Sequence, residues 1–422
     1  MAKNLFEVVQ NLFVPFILLA IVSSVNFHLN NKKIKDWHWI GIAIISVIVL
    51  LMSILRQWRF IRYNQINNIY LLSASLILGL LYCVGIWLYF SWKNLGEKAK
   101  FIFSIVITVV GLIFVACLLL FKVPTVIFLP LQFLGIGESV FTTMYLLKCT
   151  GFLLGWLVCI LMCLGLYKVL CRCEKKSCAA IFSVMYILNG FISFVSIIGI
   201  INSYYRRKIK IPTGLRKSIP QLITAETVVY FVILAVLLVF VVLFFIKHTK
   251  LHGEYENPAQ HRLLRRFEKD CRKWSVFVIL LASFSIIDLT VIKNQATKLV
   301  ELSPSEEFQI EGNRIFIPLE QVSDGHLHRF SWDNSRGKVV RFIIVQKQGT
   351  NFGIGFDACE VCGNVGYYER KNEVVCNRCD VVMNKNTIGL KGGCNPIPLE
   401  SEIQDGGIVI YTEDLDRESG RF

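Results

Sequence analysis

The chain has 422 residues, 54% of them hydrophobic and only 18% charged, with a formal net charge of +15 and a mean hydropathy of +0.55. Soluble domains run at about 45–50% apolar and about 25% charged, so the composition excludes an ordinary soluble enzyme and a disordered protein. Residues 297–422 hold 14 Lys and Arg against 19 Asp and Glu, a net of −5, so residues 1–296 carry +20. Basic residues set between apolar runs flank membrane spans and do not make a nucleic-acid face.

A hydrocarbon core needs roughly 20 apolar residues per helix. In chain order, eight such spans are predicted, near residues 5–27, 38–55, 69–90, 101–121, 149–170, 179–203, 226–246 and 274–292. Trp37, Trp58, Tyr89, Trp92, Tyr204, Tyr205 and Trp274 sit at span ends, where amphipathic rings favour the interface. The first span is long and lacks a small-x-small cleavage site after it, so it reads as a retained helix. The segment 123–141 is apolar yet holds Pro124, Pro130, Gly135, Gly137 and Glu138. It reads as re-entrant or interfacial, because irregular backbone at membrane depth is tolerated only against protein or a wet cavity. Glu138, and Asp288 within the last span, are the candidate intramembrane pathway carboxylates. Their plainer reading is solvation at a span end.

The connector 247–273 is rich in Lys and Arg, so it is expected in the cytoplasm, with the tail delivered outside. The basic connector 204–225 argues the other way. No G-x-x-x-x-G-K-S/T phosphate loop and no hydrolase motif occurs. The expected fold is therefore a polytopic α-helical membrane domain (1–296) followed by a small β-rich, extracytoplasmic, metal-binding domain (297–422).

Cysteines carry most of the chemistry. Cys83, Cys117, Cys149, Cys159 and Cys163 lie in apolar spans and read as small hydrophobes. Cys171, Cys173 and Cys178 form a weak cluster at a span boundary, and Cys271 stands alone in a basic connector. In the tail, Cys359-x-x-Cys362 is followed after 13 residues by Cys376-x-x-Cys379. Two such tight turns build a tetrahedral four-sulfur cage that suits zinc, a single iron or an iron–sulfur cluster. Two disulfides are the competing reading. Cys394, in GGCNPIPL, puts one more thiol on a constrained loop, as an additional metal or redox group or simply a buried thiol. His326 and His328, two apart in DGHLHRFSW, would share one strand face and could hold a transition metal or be plain strand histidines. Residues 314–319, 339–346 and 407–412 read as strands, and the last ten residues as a frayed end.

The tail resembles the FtrD-like family of bacterial membrane iron–sulfur proteins. The resemblance rests on DGHLHRF, VVRFIIV, DACEVCGNVGYY, CNRC and IGLKGGCNPIPL, within residues 320–399. His328 falls on the family's histidine and His326 on a variable position. The resemblance implies an iron–sulfur or mononuclear iron site on Cys359, Cys362, Cys376 and Cys379, with Cys394 as a further candidate. It also implies a place in bacterial iron uptake at the cell membrane, alongside permease, ABC-type or redox partner proteins. Two functional classes follow. One is electron transfer or iron handling, ferric reduction being a concrete version. The other is a transporter subunit whose four-cysteine site is structural zinc.

Overall fold

A computed structural model describes residues 2–29, 32–58, 60, 65–92, 96–132, 141, 143–205, 213–250, 257–292, 300–334, 337–360, 362–370, 372–378, 381–390 and 394–422. The chain divides into a helical unit, Met1–Phe133 with Val140–Ala296, and a C-terminal unit that includes Thr297–Phe422. Among the described residues, eight helices are long and apolar enough to cross a membrane. They are α1 (Ala2–His28), α2 (Lys32–Gln57), α3 (Gln65–Ser91), α4 (Glu97–Ile127), α5 (Thr143–Leu170), α6 (Lys175–Tyr205), α7 (Thr213–Lys247) and α8 (Pro258–Ile287). Sustained Leu, Ile, Val and Phe leave the backbone only its own groups as hydrogen-bond partners in an apolar medium, and the helix satisfies them all.

The first helix is the axis of the helical unit. Val8, Leu12, Ile17, Leu18, Ile21, Val22 and Val25 on α1 are buried all round. Small residues let neighbours approach closely. A Cβ on Gly155 of α5 would stand 2.6 Å from the Val8 side chain, and one on Gly111 of α4 would stand 2.6 Å from Tyr82. Ser23, Asn26, His38 and Thr108 make a buried polar link among α1, α2 and α4.

Two boundaries differ from the sequence reading. The helix α4 continues through Val123 and Pro124 to Ile127, followed by a 3-10 turn at Leu129–Gln132. The irregular stretch therefore starts later than its prolines suggest; the rest of 123–141, with Glu138, lies outside the described residues except Phe141. Much of the basic connector before the last span is helical. Asn257 caps α8 by accepting the Gln260 N–H at 2.9 Å, and Pro258 occupies the first helical turn. Cys271, expected in a loop, is buried on α8.

Among the described residues, the C-terminal unit contains three antiparallel sheets. Strands β1 (Gln309–Glu311), β2 (Arg314–Pro318), β9 (Glu402–Gln404) and β10 (Gly407–Tyr411) form the first, in the order β1-β2-β10-β9. Strands β3 (Leu327–Asp333), β4 (Val339–Gln348) and β5 (Asn351–Phe356) form the second, and β6 (Tyr367–Arg370), β7 (Glu373–Cys376) and β8 (Val382–Met383) the third. The run VVRFIIV lacks clean alternation because β4 is buried on both faces. Val340, Phe342 and Ile344 join Ile315, Ile317, Phe330, Ile408 and Ile410 in one core. Ile343 and Val345 join Leu327, Tyr367, Val374, Met383 and three cysteines in another. The expected frayed end is ordered: Thr412–Glu418 is a helix with Leu415 fully buried, and Phe422 packs on the first core.

Candidate metal centre

The site is built on the second face of the β3-β4-β5 sheet. Cys359 and Cys362 lie on a knuckle just after β5, and Cys376 ends β7. In the knuckle, Cys359 and Gly363 exchange backbone hydrogen bonds, each 3.0 Å, and Gly363 takes φ +78°. This closed turn aims the Cys362 N–H at the Cys359 sulfur, at 3.0 Å. An N–H donor to a cysteine sulfur is the kind of hydrogen bond that orients and supports a metal-ligating sulfur. The turn after β7 is closed by the Cys376 N–H donating to the Val381 carbonyl at 3.0 Å. The sulfurs of Cys359, Cys362 and Cys376 all lie within 4.8 Å of one another, and all three residues are buried. Three clustered, desolvated thiols with an N–H donor fit a soft metal ion or an iron–sulfur cluster. Cys379 falls outside the described residues.

Tyr367 stands at the centre of this group. Its hydroxyl donates to the Cys394 carbonyl at 2.6 Å. Burial, and then the neighbouring Cys359 and Cys376 thiols, push its pKa well above the usual phenol range, so it stays a donor. Cys394 packs against the cysteine-bearing core. The chain around it is held by Ile397, whose N–H donates to Ala358 and whose carbonyl accepts from Phe356.

Under the knuckle lies a buried ionic network. The Asp357 Oδ2 accepts from Arg329 Nε at 3.0 Å and from Arg341 Nε at 3.2 Å, while its Oδ1 accepts the Tyr367 N–H at 2.8 Å. Arg329 spends its remaining donors on Ser303 and the Tyr367 carbonyl. Arg329 and Asp357 are 1% and 0% exposed, and such a pair persists only when its hydrogen bonds are met. Asp357 thereby ties β3 and β4 to the start of the knuckle and to Tyr367. Sequence reasoning assigned no role to Arg329, Arg341 or Tyr367. The signal available was Asp357 two residues before Cys359 and an Arg inside an otherwise apolar strand.

The histidines do something else. His328 turns to the face of β3 that carries Phe330, opposite the Leu327 and Arg329 face that looks toward the cysteines. Its Nδ1 meets Glu306 at 3.0 Å and its Nε2 meets Asp324 at 2.8 Å. Burial opposes its charge, but the hydrogen bonds to Asp324 and Glu306 prevail and raise its pKa. His326 precedes the strand, is exposed, and bonds Glu369 at 2.8 Å. The expected same-face pair is therefore not formed, and both histidines serve carboxylates. Among the described residues, the group gathered as for a metal consists of cysteines alone.

Neither the curated proteins nor the solved structures give a match to the chain. Residues 322–422, which contain all of these cysteines, match a sequence family described as "Membrane iron-sulfur containing protein FtrD-like", so this stretch of the C-terminal unit is similar to that family.

Proposed function

We propose that the chain is a cell-membrane protein of bacterial iron uptake whose C-terminal unit holds iron or an iron–sulfur cluster for electron transfer or iron handling. The observation that carries this reading is the set of three buried, converging thiols inside the region that matches an iron–sulfur family. Cys359, Cys362 and Cys376 would hold the metal, with Cys379 completing a set of four cysteines. Bound iron would supply a one-electron couple at a potential tuned by burial and by hydrogen bonds to sulfur.

The chain's own residues prepare that role. The Cys362 N–H donates to the Cys359 sulfur and fixes its direction. Tyr367 couples the cysteine group to the backbone of Cys394, and the Arg329–Asp357 pair holds Tyr367 and the knuckle in register. The helical unit would place the C-terminal unit on the extracytoplasmic face, beside a permease, an ABC-type transporter or a redox partner. Cys394, which packs against that core, would be the thiol to respond to such a partner.

Metal analysis of the anaerobically purified full chain, with absorbance and EPR before and after dithionite, tests the reading. Iron with thiolate-to-iron absorption and a reducible signal is expected. A colourless protein with one zinc per chain would replace it by a transporter subunit with a structural zinc on the four cysteines. Cys376→Ser is expected to lose the metal; full occupancy in that variant would remove Cys376 from the ligand set.

A further inference from the structure

The most anomalous group in the helical unit is Asp288. Its sequence position near the end of a span suggests a carboxylate that reaches water. In the structure Asp288 is 0% exposed. Neither carboxylate oxygen has a hydrogen-bond partner among the described residues. The residue stands where α8 gives way to a π-helical turn, Asp288–Ile292, an irregularity that is rare and concentrated at functional sites.

Its surroundings place it well inside the apolar slab. The turn packs against α1, and α8 packs against α5. Asp288 lies near the Cys159 thiol of α5. Cys159 lies near the middle of α5, about 16 Å along the axis from the nearer end at 1.5 Å per residue. One turn earlier on α5, the Trp156 Nε1 is also buried without a partner among the described residues, with its ring against Phe16 of α1. An unmatched acceptor and an unmatched donor thus flank the same α1–α5–α8 region.

An ionised carboxylate without donors or counter-charge is prohibitive in such a place, whereas the neutral acid costs far less. Of the titratable groups on the packed elements, Cys159 of α5 is the one beside Asp288, Cys163 lies one turn further along the same helix, and Lys3 and Glu7 lie at the start of α1. No described charged side chain offsets Asp288. An alkali or alkaline-earth cation needs several oxygen ligands, and among the described residues no second carboxylate gathers with Asp288. Asp288, Cys159 and Cys163 do not converge as the tail thiols do. The ligand that fits is a proton.

We propose that Asp288 is a proton-binding site within the helical unit. A helical unit that served only to anchor the tail would be better packed with an apolar residue at this position. This inference is independent of the metal reading, because the two sites share no residue.

The test treats the full-length protein in liposomes with a hydrophobic carbodiimide, which reacts with protonated carboxyls in apolar surroundings, and identifies the modified peptide by mass. Asp288 is expected to be labelled at mildly acidic and neutral pH, to be progressively protected on alkalinisation, and to be unlabelled in Asp288→Asn. An infrared carboxylic-acid carbonyl band lost in Asp288→Asn is the second readout, read on protein whose helicity by circular dichroism matches wild type. Absence of both label and band would overturn the proposal. So would protection by ferrous or zinc ions at constant pH, which would make Asp288 a metal ligand.

Discussion

Asp357 shows how much one buried side chain can organise. A single carboxylate accepts from two arginines and one backbone N–H directly beside the metal knuckle. Asp357→Ala leaves the Arg329 charge buried without its counter-ion, at a cost of about 3–5 kcal/mol. The expected result is a large fall in the Tm of the C-terminal transition, with weakened metal retention, read by scanning fluorimetry and metal analysis. His328 carries a pH signature instead. Its folded pKa is raised, so its contribution is fully present below the ordinary imidazole value of 6.5 and is lost as pH rises through the folded value. Asp324 and Glu369 work from the acid side. Burial opposes both, but the His326 backbone N–H and His328 lower the Asp324 pKa, and the Leu327 N–H and His326 lower that of Glu369. Their contributions are present above the unfolded carboxylate range and fade as pH falls through the folded values. Thermal stability of the C-terminal unit is thus expected to be highest between these limits. In His328→Gln the decline on the alkaline side should flatten, and an unchanged alkaline decline would show that another group controls it.

At the level of elements, close approach decides both units. Gly155 lets α5 seat directly on Val8 and the Leu5 carbonyl of α1, and Gly155→Leu is expected to loosen the helical unit, seen as a lower Tm for its transition while the tail's metal content is unchanged. In the tail, Gly366 combines φ +84° with a position where a Cβ would stand 2.8 Å from the Asp357 carboxylate. Gly366→Ala therefore adds backbone strain on the order of 1–3 kcal/mol to a clash with the residue that supports the knuckle. It is expected to lower metal content more than an exposed substitution such as Glu402→Ala. The strands themselves were legible: 314–319, 339–346 and 407–412 are β2, β4 and β10 within two residues, because β-branched runs between turn residues have few other folds. The short helix Thr412–Glu418 escaped notice because Leu415 is its one fully buried residue, and a single apolar residue sets no period.

At the scale of the molecule, an acidic β-rich unit follows a basic helical one. The charge split leads to a topological expectation: Glu402→Cys should react in intact cells with a membrane-impermeant maleimide, above the wild-type background, and Lys176→Cys should react only after permeabilisation. The opposite pattern would place the tail in the cytoplasm. The sequence by itself determined the eight apolar helices, the β-rich character of the tail and the thiol pairs, since hydropathy, β-branching and C-x-x-C spacing are local properties. Only the tertiary structure decided which groups meet. It set His328 on the far face of β3 from the thiols, because strand alternation sends neighbouring side chains to opposite sides. It brought Arg329, Asp357 and Tyr367 together beneath the knuckle, and it enclosed Asp288 between α1, α5 and α8, because burial and pairing depend on residues far apart along the chain.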